Sequence, residues 1–353
     1  MKQVKTKLCP TILAIDTSCD DTSVAITQGM KILANVIASQ VEIHRKYGGV
    51  MPLEAKLAHH EFINPTYTEA LKRARVEENN IDAVAVTYGP GLAIALEVGI
   101  GFAKEISRTL QKPLIAVNHM KGHLYSPLAV NSKGKCQPSV RPEDFPVLAL
   151  LVSGGHTELV LLKNLENLEV VGKTIDDAAG EALDKFARMI DLGYPGAAAM
   201  EQVARNGDAS RFSFPLPMTQ VKTFDYSFSG LKTAGRHTIE KFGNSLTKKD
   251  VEDLAASFQQ AVFKTLLYKL SKAVEAFKPR SIWVGGGVSA NLELRKMLRK
   301  YCKERGLQFL YPTQRRLNTD NAAMIGVAAF FQYKKQDFIK NLDSLQRVPR
   351  LEL

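Results

Sequence analysis

Two histidines four residues apart are the first feature of the sequence that could do chemistry. His119 and His123 occur in the run VNHMKGHLYSP. On a helix their side chains would share one face, about 5–6 Å apart at Cβ, so both imidazoles could reach one metal ion. The alternative is a structural pair that lines or caps a helix end. Met120 stands where a thermolysin-like metalloprotease needs a glutamate, which argues against that class of hydrolase.

A carboxylate is the usual third ligand beside two imidazoles. Asp320, in LNTDNAAMIG, is an isolated acid that opens an apolar helix. It could bind the metal, cap the helix, or do both. The four cysteines form no CxxC pair. That pattern excludes a thiolate zinc site of the finger type and fits a reducing compartment.

Glycine turns after predicted strands form a second group of candidate binding residues. Such turns expose backbone N–H groups that suit a phosphate or a nucleotide, although glycines in tight turns are more often structural. The sequence has neither a P-loop nor a GxGxxG pattern, which argues against a Walker ATPase and a dinucleotide-binding dehydrogenase. The turns are Gly89-Pro90-Gly91, Gly154-Gly155 and Gly285-Gly286-Gly287.

The run Ser18-Cys19-Asp20-Asp21 forms a polar turn between two apolar stretches. Its adjacent carboxylates could orient a nucleophile, hold a cation near a phosphate, or simply form the turn. Cys19 is not expected to act as a nucleophile, because no histidine is tied to it in sequence. His156, in SGGHTE, either touches a ligand or is a hydrogen-bonded strand histidine.

Two patterns each occur twice and predict a duplicated α/β fold. A strand–turn–strand hairpin is predicted at Leu13–Thr27 and again at Leu148–Leu162. AVAVTYGPGL and SIWVGGGVS each predict a buried strand, a glycine turn and a helix. Because both halves use the same order, we interpret the chain as one architecture used twice. Further helices are predicted from Asp176 and Val251, and the charged residues 334–353 are expected to be peripheral.

Length and charge limit the class of protein. A chain of 353 residues predicts about two domains and a core large enough to fold without disulfides. Lys and Arg total 47 against 36 Asp and Glu, a net charge of +11. That excess suits a polyanion such as nucleic acid, and ordinary solubility charge explains it equally well. The absence of a signal-peptide pattern and of a membrane-spanning run predicts a cytoplasmic protein.

Nine motifs, in this order across about residues 11–330, resemble the TsaD family, the bacterial-type tRNA N6-adenosine threonylcarbamoyltransferases. The resemblance implies a two-lobed duplicated fold like that of actin, sugar kinases and heat-shock chaperones, with a cleft between the lobes. We expect an N-terminal lobe at 1–130, completed by a helix at about 321–345, and a C-terminal lobe at 147–320. Between them, the Pro-, Lys- and polar-rich run 131–146 predicts a hinge or surface loop. The motifs are DTSCDDTSVAI, GPGL, VNHMKGHL, LLVSGGHTEL, DDAAGEALDK, YPG, DYSFSGLKTA, GGGVSAN and NTDNAAMIG.

The same resemblance implies a reaction. The threonylcarbamoyl group would pass from threonylcarbamoyl-AMP to N6 of the adenosine 3′ to the anticodon, in tRNAs that read ANN codons, with release of AMP. The implied cofactor is one divalent metal ion per subunit, Fe²⁺ first and Zn²⁺ as the alternative. The implied partners are tRNA, the adenylate donor, a non-catalytic TsaB-like paralogue and a TsaE-like small ATPase, with no membrane.

The resemblance also assigns residues. His119, His123 and Asp320 match the metal ligands, and Asp20 is the candidate for orienting or deprotonating the acceptor amine. The candidate donor contacts are Leu151, Val152, Ser153, Gly154, Gly155, Asp184 and Asn291, with Glu201 as a weaker one.

Several positions depart from the family pattern. Ala197 stands where a second glycine is usual after Tyr-Pro-Gly, and its methyl group could crowd a backbone contact to the donor. Two alternatives stay open: a metal-dependent glycoprotein peptidase, which is an older assignment of this family, and a non-catalytic ATP-binding scaffold of the same fold. The other departures are Lys121, Asn318, Leu53, Leu57 and Ile94-Ala95.

Overall fold

The structure is a computed structural model that describes residues 7–131, 140–243 and 245–353. These residues form two units. Unit 1 contains the described residues before Val140 together with Pro312–Leu353, and unit 2 is Val140–Tyr311. Residues 312–320, which the sequence assigned to the C-terminal lobe, group with unit 1. Half of the expected hinge loop, residues 132–139, lies outside the described residues, and the lobe boundaries stay predictions.

Each unit is built on one mixed β-sheet. In unit 1 the strand order is β3-β2-β1-β4-β5, and in unit 2 it is β10-β9-β6-β7-β8. The strands are β1 (Thr11–Asp16), β2 (Asp21–Gln28), β3 (Lys31–Ser39), β4 (Ala83–Gly89), β5 (Leu114–Asn118), β6 (Val147–Val152), β7 (Thr157–Leu162), β8 (Leu168–Lys173), β9 (Ser281–Gly285) and β10 (Gln308–Leu310).

The two sheets have the same topology. In unit 1, β1 pairs antiparallel with β2, β2 antiparallel with β3, and β1 and β5 flank β4 in parallel. In unit 2, β6, β7 and β8 repeat the antiparallel part, and β9 and β10 repeat the parallel part. The duplicated α/β fold predicted from the hairpin and strand–glycine–helix patterns is therefore confirmed.

Helices flank both sheets. They are α1 (Val41–Arg45), α2 (Pro52–Ala74), α3 (Ala93–Leu110), α4 (His119–Tyr125), α5 (Ala179–Met189), α6 (Gly196–Ala204), α7 (Ser229–Glu240), α8 (Lys248–Phe277), α9 (Leu292–Glu304) and α10 (Ala322–Lys334). The helices predicted from Asp176 and Val251 correspond to α5 and α8. The latter begins earlier because Thr247 and Asp250 form a capping box at its start. Within the described residues, no helix is both long and apolar enough to span a bilayer.

Both faces of the unit 1 sheet are covered, which is why every residue of β1 is buried. Leu13 and Ile15 belong to a core that they share with residues of α2 and α3. On β2, Thr27 points to the face opposite Ile26, because side chains alternate along a strand. A Cβ at Gly326 of α10 would lie 2.7 Å from Thr27 Cγ2, so α10 packs closely on that second face.

The residues after α10 are mostly exposed, as their charge suggested, but they are attached to unit 1 at several points. Leu345 is buried in the core of unit 1, and the Ile339 N–H donates to Leu114 O at 2.9 Å. The segment is therefore peripheral as expected, and one leucine together with backbone hydrogen bonds attaches it to unit 1. Charged side chains in the same segment face solvent and dominate the sequence pattern.

Candidate metal centre

The helix α4 begins directly at the end of strand β5, and this places both histidines. Asn118 closes the strand and caps the helix: its Oδ1 accepts from the Met120 N–H at 2.8 Å and from the Lys121 N–H at 3.4 Å. His119 and His123 therefore lie one helical turn apart on one face. Their ring centroids are 4.7 Å apart and the rings are nearly perpendicular.

A glycine between the histidines lets α4 approach α10. A Cβ at Gly122 would lie 2.9 Å from Ile325 Cδ1 and 3.0 Å from Met324 Cγ. Even a methyl group at position 122 would force these two side chains to shift, so the two helices meet at this point. The close approach brings the histidines to the residues that precede α10, and these include Asp320.

The carboxylate of Asp320 faces both imidazoles. Its Oδ1 lies 3.4 Å from His119 Nε2 and 3.2 Å from His123 Nε2. The cap of α10 is a different residue, Asn321, whose side chain accepts from the Met324 N–H at 3.1 Å. Of the two roles that the sequence allowed for Asp320, helix capping therefore falls to its neighbour.

The donor set fits a divalent metal ion. One ligand atom from each of His119, His123 and Asp320 can be chosen so that all lie within 4.8 Å of one another. His123 is fully buried, and within the described part of the chain neither of its ring nitrogens has a hydrogen-bond partner of good geometry. Buried polar atoms are almost always satisfied. A cation at this point would satisfy His123 Nε2, and two imidazoles with one carboxylate suit iron or zinc.

A second carboxylate lies behind the first histidine. Asp16 Oδ2 is 3.6 Å from His119 Nδ1, on the side of the ring away from Asp320. Burial lowers the pKa of His119, but Asp320 and Asp16 outweigh it and raise that pKa to about 10. Burial lowers the pKa of His123. Burial also opposes charge on Asp320, yet the two histidines hold its pKa well below the usual value.

The polar turn between β1 and β2 belongs to the same acidic environment. Burial, followed by the neighbouring charges of Asp20, Asp320 and Asp16, raises the pKa of Asp21 to about 7 against a hydrogen bond from Ser39 that lowers it. Burial and Asp20 raise the pKa of the Cys19 thiol well above its ordinary value. A thiol held in its neutral form is a poor nucleophile, in line with the expectation from sequence.

His59 on α2 is a contact of this turn that the sequence analysis missed. The Thr22 hydroxyl donates to His59 Nδ1 at 2.7 Å, and His59 Nε2–H donates to the carbonyl of Cys19 at 3.0 Å. These partners assign the tautomer, and burial lowers the pKa of His59, so the ring is neutral. The histidine thus holds the turn that carries Asp20. No sequence signal links residues this far apart.

In unit 2, glycine turns meet at the end of β6. The Ser153 N–H donates to His156 O, and the His156 N–H donates to Ser153 Oγ, so these residues close the turn that contains Gly154 and Gly155. A Cβ at Gly286, where φ is +91°, would lie 2.3 Å from Val152 O, and one at Gly180 would lie 2.4 Å from Ser153 O. The two glycines of the turn are exposed.

Leu151 and Val152, the proposed donor contacts at the end of β6, can act only through their backbone. The side chains of Leu151 and Val152 are buried in the sheet. The backbone of His156 is part of the turn itself. The exposed backbone of Gly154 and Gly155 is the part of the run that a ligand can approach.

Asp184 holds the start of helix α6. Its Oδ1 accepts from the Ala197 N–H at 2.6 Å. Ala197 packs against the hydrophobic core of unit 2. The methyl group that replaces the usual glycine therefore has room beside the core.

Glu201 and Asn291 both hold the start of helix α9. Glu201 Oε1 accepts from the Leu292 N–H at 3.1 Å. The Asn291 side chain accepts from Glu293 N and Leu294 N, and its Nδ2 donates to Gln259 Oε1 at 2.7 Å. Both residues therefore make hydrogen bonds that hold the backbone at the start of α9, close to the Gly286 turn.

Comparison with known proteins adds a family to this geometry. The TsaD family model, described as tRNA N6-adenosine threonylcarbamoyltransferase, matches residues 31–327. The chain belongs to the TsaD family. Two similar proteins, both named tRNA N6-adenosine threonylcarbamoyltransferase, support this. The protein from Thermosipho africanus is 45% identical over 342 residues, 97% of this chain and 99% of that protein. The one from Moorella thermoacetica is 44% identical over 346 residues, 97% of each chain.

A solved structure shows the fold alone. The HypF protein of T. kodakarensis has a TM-score of 0.60 and 14% sequence identity, over 95% of this chain and 48% of that one.

Within the TsaD family pattern, the departure at Asn318 has a structural explanation. Its buried side chain donates to Gln314 O and Arg315 O and stabilises the turn before Asp320. Nothing in the structure explains Lys121.

We predict that His119→Ala and Asp320→Ala each abolish metal binding and leave the fold intact. Metal content should fall from about one ion per chain to less than about a tenth, because two remaining ligands hold a divalent ion weakly. Elemental analysis of the purified proteins measures this, and circular dichroism checks the fold. Thr319→Ala is the matched control, because this residue is exposed and bonds to the turn through its carbonyl, which the change retains. Full metal occupancy in either alanine variant would contradict the ligand assignment.

Proposed function

We propose that the chain transfers the threonylcarbamoyl group from threonylcarbamoyl-AMP to N6 of the adenosine 3′ to the anticodon. The acceptors would be tRNAs that read ANN codons, and AMP would be released. One observation supports this most: a chain of the TsaD family brings His119, His123 and Asp320 together in a buried group with the donor chemistry of a metal site.

His119 Nε2, His123 Nε2 and the Asp320 carboxylate would hold the metal, with Fe²⁺ as the expected ion and Zn²⁺ as the alternative. Two imidazoles and one carboxylate leave coordination positions open, a pattern of both iron and zinc enzymes. When bound, the ion would act as a Lewis acid toward the threonylcarbamoyl group. Asp16 would orient the His119 ring from the opposite side, as carboxylates behind metal-binding histidines commonly do.

The donor would be held by residues of unit 2. We assign its phosphate to the exposed backbone N–H groups of Gly154 and Gly155, because such groups in a glycine turn suit an anion. Asp184, Glu201 and Asn291 stay proposed donor contacts. Their hydrogen bonds to the starts of α6 and α9 would keep the surrounding backbone fixed when the donor binds.

The transfer itself is an acyl substitution. The N6 amine attacks the carbamoyl carbon, the bond from that carbon to the phosphate oxygen breaks, and AMP leaves with the electron pair. The amine also loses a proton, and we propose Asp20 as the group that orients the amine or accepts this proton. An adenine amine is a poor nucleophile, so correct positioning must supply much of the rate. His59 would contribute by holding the turn that carries Asp20.

The acceptor also fits the charge of the chain. A net charge of +11 favours a phosphate backbone, and an anticodon loop offers bases that can leave the stack without opening a duplex. We further propose that the chain works in the cytoplasm with a non-catalytic TsaB-like paralogue and a TsaE-like small ATPase. The isolated chain would then be slow or inactive.

We predict donor-dependent formation of threonylcarbamoyladenosine when the chain and these partners are given threonylcarbamoyl-AMP and an unmodified tRNA. The tRNA should carry adenosine after an anticodon ending in U, and mass spectrometry of digested RNA detects the product. His119→Ala and His123→Ala should lower the yield, while Thr319→Ala should not. Binding of the tRNA should weaken steeply with salt, because phosphate contacts release counterions.

The alternatives give different results in the same assay. A glycoprotein peptidase would form no modified nucleoside and would cleave a glycoprotein. A scaffold would form neither product and would retain nucleotide binding. An absence of product with verified donor and active partners would contradict the transferase. Full activity of the isolated chain would contradict the partner requirement only.

We predict that Asp20→Asn lowers kcat by about 100-fold, the usual contribution of a positioned acid–base group. Asp21→Asn is the matched control on the neighbouring carboxylate, which is bonded to Ser39. It should lower kcat much less. Single-turnover rates with saturating donor and tRNA measure both. A larger loss in Asp21→Asn than in Asp20→Asn would transfer the proposed role to Asp21.

A further inference from the structure

A short segment after α10 makes backbone hydrogen bonds to the loops that surround the metal ligands. We call residues 348–352 the strap segment. The Val348 N–H donates to Tyr88 O at 2.8 Å, at the end of β4. The Gly91 N–H donates to Pro349 O at 3.1 Å. The strap segment therefore covers the Gly89-Pro90-Gly91 turn, one of the three glycine turns that the sequence marked for ligand binding.

The turn is shaped for this contact. A Cβ at Gly89 would lie 2.0 Å from Val348 O and 3.1 Å from Leu351 Cβ. Such distances exclude any side chain at position 89 while the strap segment is in place. The glycine is therefore explained by close approach of another backbone, and not by a bound phosphate.

A second contact of the strap segment leads directly to the metal ligands. Asn118 Nδ2 donates to Glu352 O at 2.9 Å, while Asn118 Oδ1 caps α4 at Met120 and Lys121. One side chain thus joins the strap segment to the helix that begins at His119. Rotation or loss of this amide would free the first turn of α4, which contains one ligand and precedes the other.

The residues just before the strap segment contact helix α3. Leu345 is buried in the core of unit 1, and Lys104 Nζ donates to its carbonyl at 2.9 Å. Arg347 Nε lies 2.7 Å from Glu97 Oε1. Because α3 packs on the sheet, these contacts fix the direction in which the strap segment crosses the ends of β4 and β5.

The same contacts reach the turn between β1 and β2. The Leu92 N–H donates to Ser18 O at 2.7 Å, and a Cβ at Gly91 would lie 2.5 Å from that oxygen. The turn that carries Asp20 thus packs on the turn that the strap segment covers. Two loops of the site depend on one backbone segment.

We propose that the strap segment positions the metal-binding helix α4 through Asn118, and that it is required for full metal affinity. This inference rests on the proposed metal site, and its test therefore measures metal binding without turnover. Outer groups that orient a metal ligand typically change affinity by about 10- to 100-fold. Asn118 and the strap segment act as positioning groups, since neither touches the metal.

The test is a titration of the full chain with Zn²⁺ against a competing chelator. We compare wild type, a variant lacking residues 348–353, Asn118→Ser, and both changes together. Serine retains a good helix cap but has no amide to reach Glu352 O. Each single change should weaken Zn²⁺ affinity by about tenfold. The combined variant should be no weaker than the deletion, because both changes break one connection.

Arg350→Gln is the matched control, because it removes the charge of an exposed side chain within the strap segment and leaves the backbone bonds. Its affinity should equal that of wild type. Unchanged affinity in the deletion or in Asn118→Ser, or additive losses in the combined variant, would overturn the strap proposal. Failure of wild type to bind Zn²⁺ would overturn the metal site itself. If the deletion does not fold, Asn118→Ser decides alone.

Discussion

The close contact of α4 with α10 at Gly122 is the constraint on which the rest of the site depends. With no side chain at this position, two helices from distant parts of the chain meet at van der Waals distance. His119 and His123 are thereby set against Asp320, and all three are at least partly removed from water. Burying imidazole nitrogens without good hydrogen-bond partners costs free energy, and a cation would remove that cost at His123 Nε2.

The parts of this arrangement that the sequence predicted are those with a local pattern. The spacing of His119 and His123 needs only one helix, and the duplicated strand and helix patterns need only short windows. The sequence named Asp320 as the candidate third ligand and left helix capping open, and the structure gives the cap to its neighbour Asn321. Residue types and spacing do not reveal which of two adjacent polar residues turns toward the helix.

Contacts made by backbone atoms across long sequence separations were not predictable. His59 donates to the carbonyl of Cys19, and the strap segment offers the carbonyl of Glu352 to the side-chain amide of Asn118. Every residue has a backbone carbonyl, so the sequence does not show which one a distant side chain will bond to. The charged side chains of residues 334–353 correctly indicated an exposed segment. They gave no indication of the backbone hydrogen bonds that attach it to unit 1. The candidates in unit 2 show the same limit: Asp184, Glu201 and Asn291 each have framework bonds that motif matching does not separate from ligand contacts.

The central claim is that one metal ion is held by two imidazoles and one carboxylate. X-ray absorption spectroscopy of the Zn²⁺-loaded protein at the zinc edge tests it most directly. The account predicts a first shell of nitrogen and oxygen only, with the multiple scattering of two histidines and zinc–nitrogen distances of about 2.0–2.1 Å. Sulfur in the first shell, which would implicate Cys19 beside the acidic cluster, or scattering from fewer than two histidines would contradict it.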